Sequence, residues 1–177
     1  MNDKRLFIWV EGNDDERFFD HIVKPRLLCL YGRIDLIPYA QMKHKKIKSY
    51  LKSIYAMNAD CIFTADINSA RCISEKKQTL KDKFQNIAER NILIIIKEIE
   101  SWYLSGLSDS VMKKFRCPAI KATDGITKEK FNDFFSKSKF DSRIDFMTEI
   151  LKNFKTETAK QKNKSFNYFF GKYIKCQ

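Results

Sequence analysis

Phe7-Ile8-Trp9-Val10-Glu11-Gly12-Asn13-Asp14-Asp15-Glu16-Arg17-Phe18-Phe19 is the stretch that decides the fold. It begins inside Arg5 to Val10, a short run rich in Ile, Val, Phe and Trp that stops at Glu11-Gly12, as a buried strand does. Beyond the turn, Phe18, Phe19, Ile22 and Val23 recur at helical spacing behind Asp14, Asp15 and Glu16, a cluster suited to the positive end of a helix dipole. The reading is strand, tight turn, helix.

The same unit repeats downstream. Ile34 to Tyr39 reads as a second strand, and Ile47, Leu51, Ile54 and Tyr55 mark one face of a helix whose other face is lysine-rich. Asp60 to Ile67 reads as a third strand, and Leu80, Phe84, Ile87 and Ala88 as a third amphipathic helix. Ile92 to Ile96 is the most apolar run, suited to a strand covered on both faces. This βαβαβαβ alternation predicts an α/β fold: a mostly parallel four-stranded sheet flanked by helices, with right-handed crossovers. After Trp102 only helical patterns follow. One is Phe146, Met147, Ile150, Leu151 and Phe154 behind the capping box Ser142-x-x-Asp145, and another is Phe166, Phe169, Phe170, Tyr173 and Ile174. Residues 1–105 therefore read as an α/β core and residues 106–177 as an all-helical extension packed on it, in a single compact unit.

At 177 residues the chain has room for one domain with a real core, and its 44% hydrophobic content with few Gly and Pro excludes disordered and collagen-like classes. A net charge of +12 suggests a polyanionic partner, the alternative being a lysine-rich composition spread over a solvated surface. Residues 101–177 hold 16 basic and 8 acidic side chains, so two thirds of the excess lies there. Cys29, Cys61, Cys72, Cys117 and Cys176 are widely spaced, which suits reduced cytosolic thiols better than a disulfide framework or zinc site. No apolar stretch reaches 18 residues and no cleavable leader precedes the first strand, so the expectation is a cytoplasmic protein without membrane contact.

In an open α/β sheet, ligands bind outside the carboxyl ends of the strands. Glu11 closes the first strand, with Asp15 about one helical turn beyond it; Asp66 closes the third, and Glu98 and Glu100 follow the fourth. Each alone has an ordinary explanation as turn, cap or helix-end charge. Their recurrence at three strand ends favours a cation between them, and hard oxygen donors suit Mg²⁺ or Mn²⁺. Which of Glu98 and Glu100 faces such a site stays open, because strand and helix periodicities give different answers at that junction.

The Phe7–Phe19 run resembles the opening motif of Toprim domains, a hydrophobic strand ending in Glu-Gly with an acidic residue four positions after the Glu. Ile62-Phe63-Thr64-Ala65-Asp66-Ile67-Asn68 resembles the second Toprim motif, DxD. Lys97-Glu98-Ile99-Glu100-Ser101-Trp102-Tyr103 resembles the acidic-then-aromatic segment of small Toprim-like families related to the overcoming-lysogenization-defect nucleases and RloB-type defence proteins. The resemblance covers about the first 105 residues. It implies a Toprim/Rossmann-like sheet and a metal-dependent nuclease in antiviral defence or DNA repair. Glu11 would act as catalytic residue and metal ligand, Asp15 as its partner, and Asp66 as the central ligand and second catalytic residue. Asn68 stands where the family has its second DxD carboxylate, and Glu98 or Glu100 would compensate.

The segments Lys43-His44-Lys45-Lys46-Ile47-Lys48 and Lys160-Gln161-Lys162-Asn163-Lys164 are candidate nucleic-acid contacts, the alternative for both being a solvated lysine face, which an amphipathic helix favours for the first. In the second, Asn163, Ser165 and Asn167 offer further hydrogen bonds to phosphate. His21 and His44 share no obvious partner, which disfavours a histidine triad, and no nucleotide-binding glycine motif is present. Trp102 and Tyr103 read as core more readily than as a base-stacking platform. A non-catalytic binding module is the competing reading. An ATPase partner subunit and a homo-oligomer remain open as assemblies.

Overall fold

The computed structural model describes residues 4–85 and 87–174. Its elements are β1 (Arg5–Val10), α1 (Asn13–Phe18), a π-helical turn (Phe19–Val23), α2 (Lys24–Leu27), β2 (Arg33–Pro38), α3 (His44–Ala56), β3 (Asp60–Asp66), α4 (Ile73–Phe84) and β4 (Ile92–Ile95), then α5 (Glu100–Ser105), α6 (Asp109–Lys114), α7 (Lys128–Lys137), α8 (Arg143–Lys152), α9 (Thr156–Lys162) and α10 (Lys164–Tyr173). The four strands form one all-parallel sheet in the order β2-β1-β3-β4, flanked by helices, and the C-terminal part is helical, as the sequence pattern requires. The chain separates into two compact units. Among the described residues the first ends at Ile95 and the second begins at Ile96, directly after β4.

In the first unit, Trp9 pairs with Ile37 on one side and Phe63 on the other, and Phe63 pairs with Ile92. One sheet face carries Phe7, Trp9, Cys61, Phe63, Ala65, Ile92 and Ile94, packed with Ile47, Leu51 and Ile54 of α3 and with Leu80 and Phe84 of α4. The alternating residues Leu6, Ile8, Val10, Ile62, Leu93 and Ile95 belong to the opposite face and are buried as well. Both faces of the central strands are therefore apolar, which is why their sequences read as continuous hydrophobic runs. The third helix ends sooner than its periodicity suggests. Gln85 takes φ 62° and stops α4 at Phe84, and Ile87 reaches the core from outside the helix. The helix after β1 widens into its π turn just ahead of Pro25, whose ring has no N–H to donate and would press on the carbonyl four residues back.

The second unit is built on aromatic packing. Trp102 meets Phe166 and Phe169 at centroid distances of 5.2 and 5.5 Å, and Phe131 meets Phe146 at 5.4 Å. Ser142 caps α8 by accepting from the Asp145 N–H, as its capping-box pattern predicts. No helix among the described residues is long and apolar enough to cross a membrane.

Candidate functional site at the carboxyl ends of β1 and β3

From β1 the chain moves to one side of the sheet for β2, then crosses back for β3 and β4. The two connections diverge between β1 and β3, which makes the carboxyl ends of those strands the topological switch point where open α/β sheets bind ligands. Glu11 follows β1 directly and Asp66 is the last residue of β3. The Asp66 N–H donates to Glu11 Oε2 at 3.4 Å. Asp15, in the first turn of α1, is 6% exposed, and its Oδ2 accepts from the Gly12 N–H at 3.2 Å. The charged neighbours of Asp15 have other roles, since Asp14 pairs with Arg17 at 2.8 Å.

Tyr39, the residue after β2, completes this group and was not singled out from sequence. Its hydroxyl donates to the Thr64 carbonyl at 2.9 Å, while the Thr64 hydroxyl donates to the Trp9 carbonyl at 2.7 Å. Its ring lies 4.6 Å from that of Phe63. Burial, and then the negative charges of Glu11, Asp15 and Asp66, hold the Tyr39 phenol well above its usual range. Three carboxylates from two strand ends and a helix thus act on one part-buried phenol. The only sequence signal for Tyr39 was its place as the last residue of the expected second strand, which ends one residue sooner, at Pro38.

Gly12 is extended, with φ −147°, a conformation any residue adopts, and a Cβ there would find its nearest atom, Asp15 Oδ2, at 4.0 Å. Backbone strain therefore does not demand this glycine. Asn68, two residues past Asp66, is exposed and has φ 50°, a left-handed conformation that asparagine tolerates better than most residues. Among the described residues no group of three or more His, Cys, Asp and Glu side chains is gathered closely enough to hold a metal ion. The donor chemistry nevertheless fits Mg²⁺, which usually takes only one or two carboxylates and completes its shell with waters and substrate phosphates.

Glu98 and Glu100 belong to the second unit and each has a protein partner there. Glu98 Oε2 accepts from the Lys128 N–H at the start of α7, where the helix dipole favours an anion. Glu100 is 4% exposed and pairs with Arg143 at 2.9 Å, and the same guanidinium donates to Asn132 and lies over the Phe131 ring. These contacts account for both carboxylates without a ligand.

The two lysine segments also differ. Lys160 pairs with Glu157 at 2.8 Å and lies over the Phe170 ring. Lys162 donates to the Leu107 carbonyl at 2.8 Å and meets Asp109 at 3.3 Å, so it ties loops together. The Lys164 N–H donates to Asp124, with the side chain exposed. Asn163 and Ser165 are buried and do not face solvent as phosphate contacts would. Asn163 donates to Ser101 and Thr123 and accepts from Ser165 and the Phe166 N–H, and Ser165 accepts from the Trp102 indole. This closed network satisfies the polar groups that α10 brings into the interior. Trp102 and Tyr103 are fully buried core residues. Lys43, Lys45 and Lys46, by contrast, are exposed and have no acidic partner among the described residues.

His21 and His44 are both exposed: the His21 ring meets the Arg17 carbonyl, and the His44 ring packs on Phe84. Cys61, Cys72 and Cys117 are free thiols, and burial pushes the Cys61 thiol up to about 12. Cys176 lies outside the described residues. Compared with known proteins, the chain matches no family model and gives no significant match to a curated protein or a solved structure.

Proposed function

We propose that the chain is a Toprim-type, Mg²⁺- or Mn²⁺-dependent nuclease that hydrolyses phosphodiester bonds of DNA or RNA, in a setting of antiviral defence or repair. The observation that carries this reading is the Asp66 N–H donating to the Glu11 carboxylate at the β1/β3 switch point, with Asp15 in the adjoining first turn of α1. Glu11 and Asp66 would hold the metal, with Asp15 beside them and the Asn68 amide as a neutral oxygen donor. The chemistry such an ion would supply is Lewis-acid polarisation of a phosphoryl oxygen and activation of water. The protein's own part is positional. The Asp66 N–H holds the Glu11 carboxylate, and the Gly12 N–H holds Asp15. Tyr39, kept neutral at physiological pH, fixes the β2 end to β3 through Thr64.

Purified protein with Mn²⁺ should cut nucleic acid, and Glu11→Gln or Asp66→Asn should abolish cutting while leaving the circular dichroism spectrum intact. Activity equal to the parent's in both variants would reject the assignment. A second reading, a non-catalytic Toprim-fold binding subunit that works with an ATPase partner or a second copy, is favoured by one observation: the second DxD position is an exposed, uncharged Asn68. Calorimetric titration separates the two, because the subunit reading expects no Mn²⁺ binding at millimolar concentration.

A further inference from the structure

We infer that the outward face of α3 is a phosphate-backbone binding ridge for nucleic acid, with Lys45, Lys48 and Lys52 as its contact residues. Between Asp35 and Asp60 the chain carries five lysines and no acidic residue. All five, Lys43, Lys45, Lys46, Lys48 and Lys52, lack an acidic partner among the described residues. The arrangement is unfavourable for the helix in isolation. No acidic residue occupies its first turn, three of the lysines sit at the positive end of its dipole, and Lys48 and Lys52 are like charges one turn apart. An anionic partner reverses the sign of each of these effects.

The geometry favours a polyanion. His44, Lys45, Lys48, Ser49 and Lys52 line one groove of about 460 Å³ along the helix. Lys45 and Lys52 are seven residues apart, about 10 Å along the axis at about 1.5 Å per residue. That length spans about three phosphates of one strand at about 3.4 Å each. The groove holds no large apolar side chain of the kind that anchors protein interfaces. Ile47, Leu51 and Ile54, the apolar face of α3, are committed to the core, and the exposed Tyr50 and Tyr55 of the same helix do not line the groove. Lys52 extends the contact set beyond the basic run at the helix start, and the groove selects Lys45 and Lys48 from that run. The inference rests on the nucleic-acid half of the proposed function and is independent of its metal half.

The test is fluorescence anisotropy of a labelled DNA duplex, and of its single strand, titrated with the full chain in EDTA so that no cutting occurs. Lys45→Ala/Lys48→Ala/Lys52→Ala, three exchanges that favour helix, is compared with Lys113→Ala/Lys114→Ala/Lys121→Ala, which removes the same charge from exposed positions of the second unit. At about 0.9 per phosphate contact on duplex, the α3 variant should lower the slope of log K against log salt by between about 2 and 3 and weaken binding at least tenfold, with the control little changed. Equal losses in both variants, unchanged binding in the α3 variant, no binding by the parent chain, or tighter binding to phosphatidylserine vesicles than to either DNA would each overturn the inference. Because no metal is present, these outcomes say nothing for or against the nuclease chemistry.

Discussion

Replacing Glu11 by Gln should make the metal-free protein more stable and less responsive to metal. In EDTA the carboxylates of Glu11, Asp15 and Asp66 share the surroundings of Tyr39 with no metal ion added. What Glu11 gains from the protein is small: its bond from the Asp66 N–H is 3.4 Å long, well beyond the usual range for a charge-assisted bond, and a Gln oxygen can still accept it. What it loses is larger. Two like charges about 4 Å apart repel by about 1 kcal/mol in water-like surroundings and about 4 kcal/mol near a protein surface, and a separation taken as about 8 Å for the half-buried Glu11 gives about 1–2 kcal/mol. Glu11→Gln should therefore raise the unfolding free energy in EDTA by about 1 kcal/mol. With Mn²⁺ at about ten times its dissociation constant the parent gains about 1.4 kcal/mol by mass action, and the variant should gain little of it. Urea denaturation followed by circular dichroism, with EDTA and with MnCl₂, reads both effects. A variant destabilised in EDTA, or one that keeps the parent's Mn²⁺ shift, would refute the reasoning, because each effect derives from the same crowded charge.

Gly106→Ala should cost about 1–3 kcal/mol, since its Cβ would lie 2.3 Å from Phe154 Cδ2 and the rigid ring has to move. Adding Phe154→Ala removes that clash, so a double-mutant cycle in urea should show favourable coupling. Acid should weaken the first unit. Burial works against the charged forms of Asp35 and Asp60, but Arg5 and Arg33 beside Asp35, and Lys4 and Tyr31 beside Asp60, hold both carboxyls below their ordinary values. Their contribution is complete above about pH 4 and is lost as pH falls through the lower folded values, so the urea midpoint should drop below about pH 4, and Asp60→Asn should flatten that drop. The buried Cys61 thiol, raised to about 12, should resist a thiol reagent at pH 8 in the native state, whereas exposed Cys72 should react. Equal labelling rates for the two would contradict the packing around Cys61.

Local pattern was enough for the sheet. Arg5–Val10 and Ile92–Ile95 are buried on both faces, and such runs have few alternatives to a parallel strand beneath helices. The placement of Glu11 and Asp66 at strand ends was equally legible, since each directly follows or closes an apolar run. Strand order was not, because it depends on which strands meet after the chain doubles back, and that order alone makes the β1/β3 ends the switch point. Tyr39 joins the carboxylates only through that pairing. The lysines show the same limit. Lys162 and Lys45 are alike as letters in basic runs, yet one meets a carbonyl and Asp109 from distant parts of the chain, and the other faces solvent beside more lysines. By itself the sequence determined which segments are strands and helices and which strand ends bear carboxylates, because burial and helical period are local properties. Tertiary structure decided which charges find partners, because an ion pair or a capped helix end is made between residues far apart in the chain, as Glu100 with Arg143 and Glu98 with the start of α7 demonstrate.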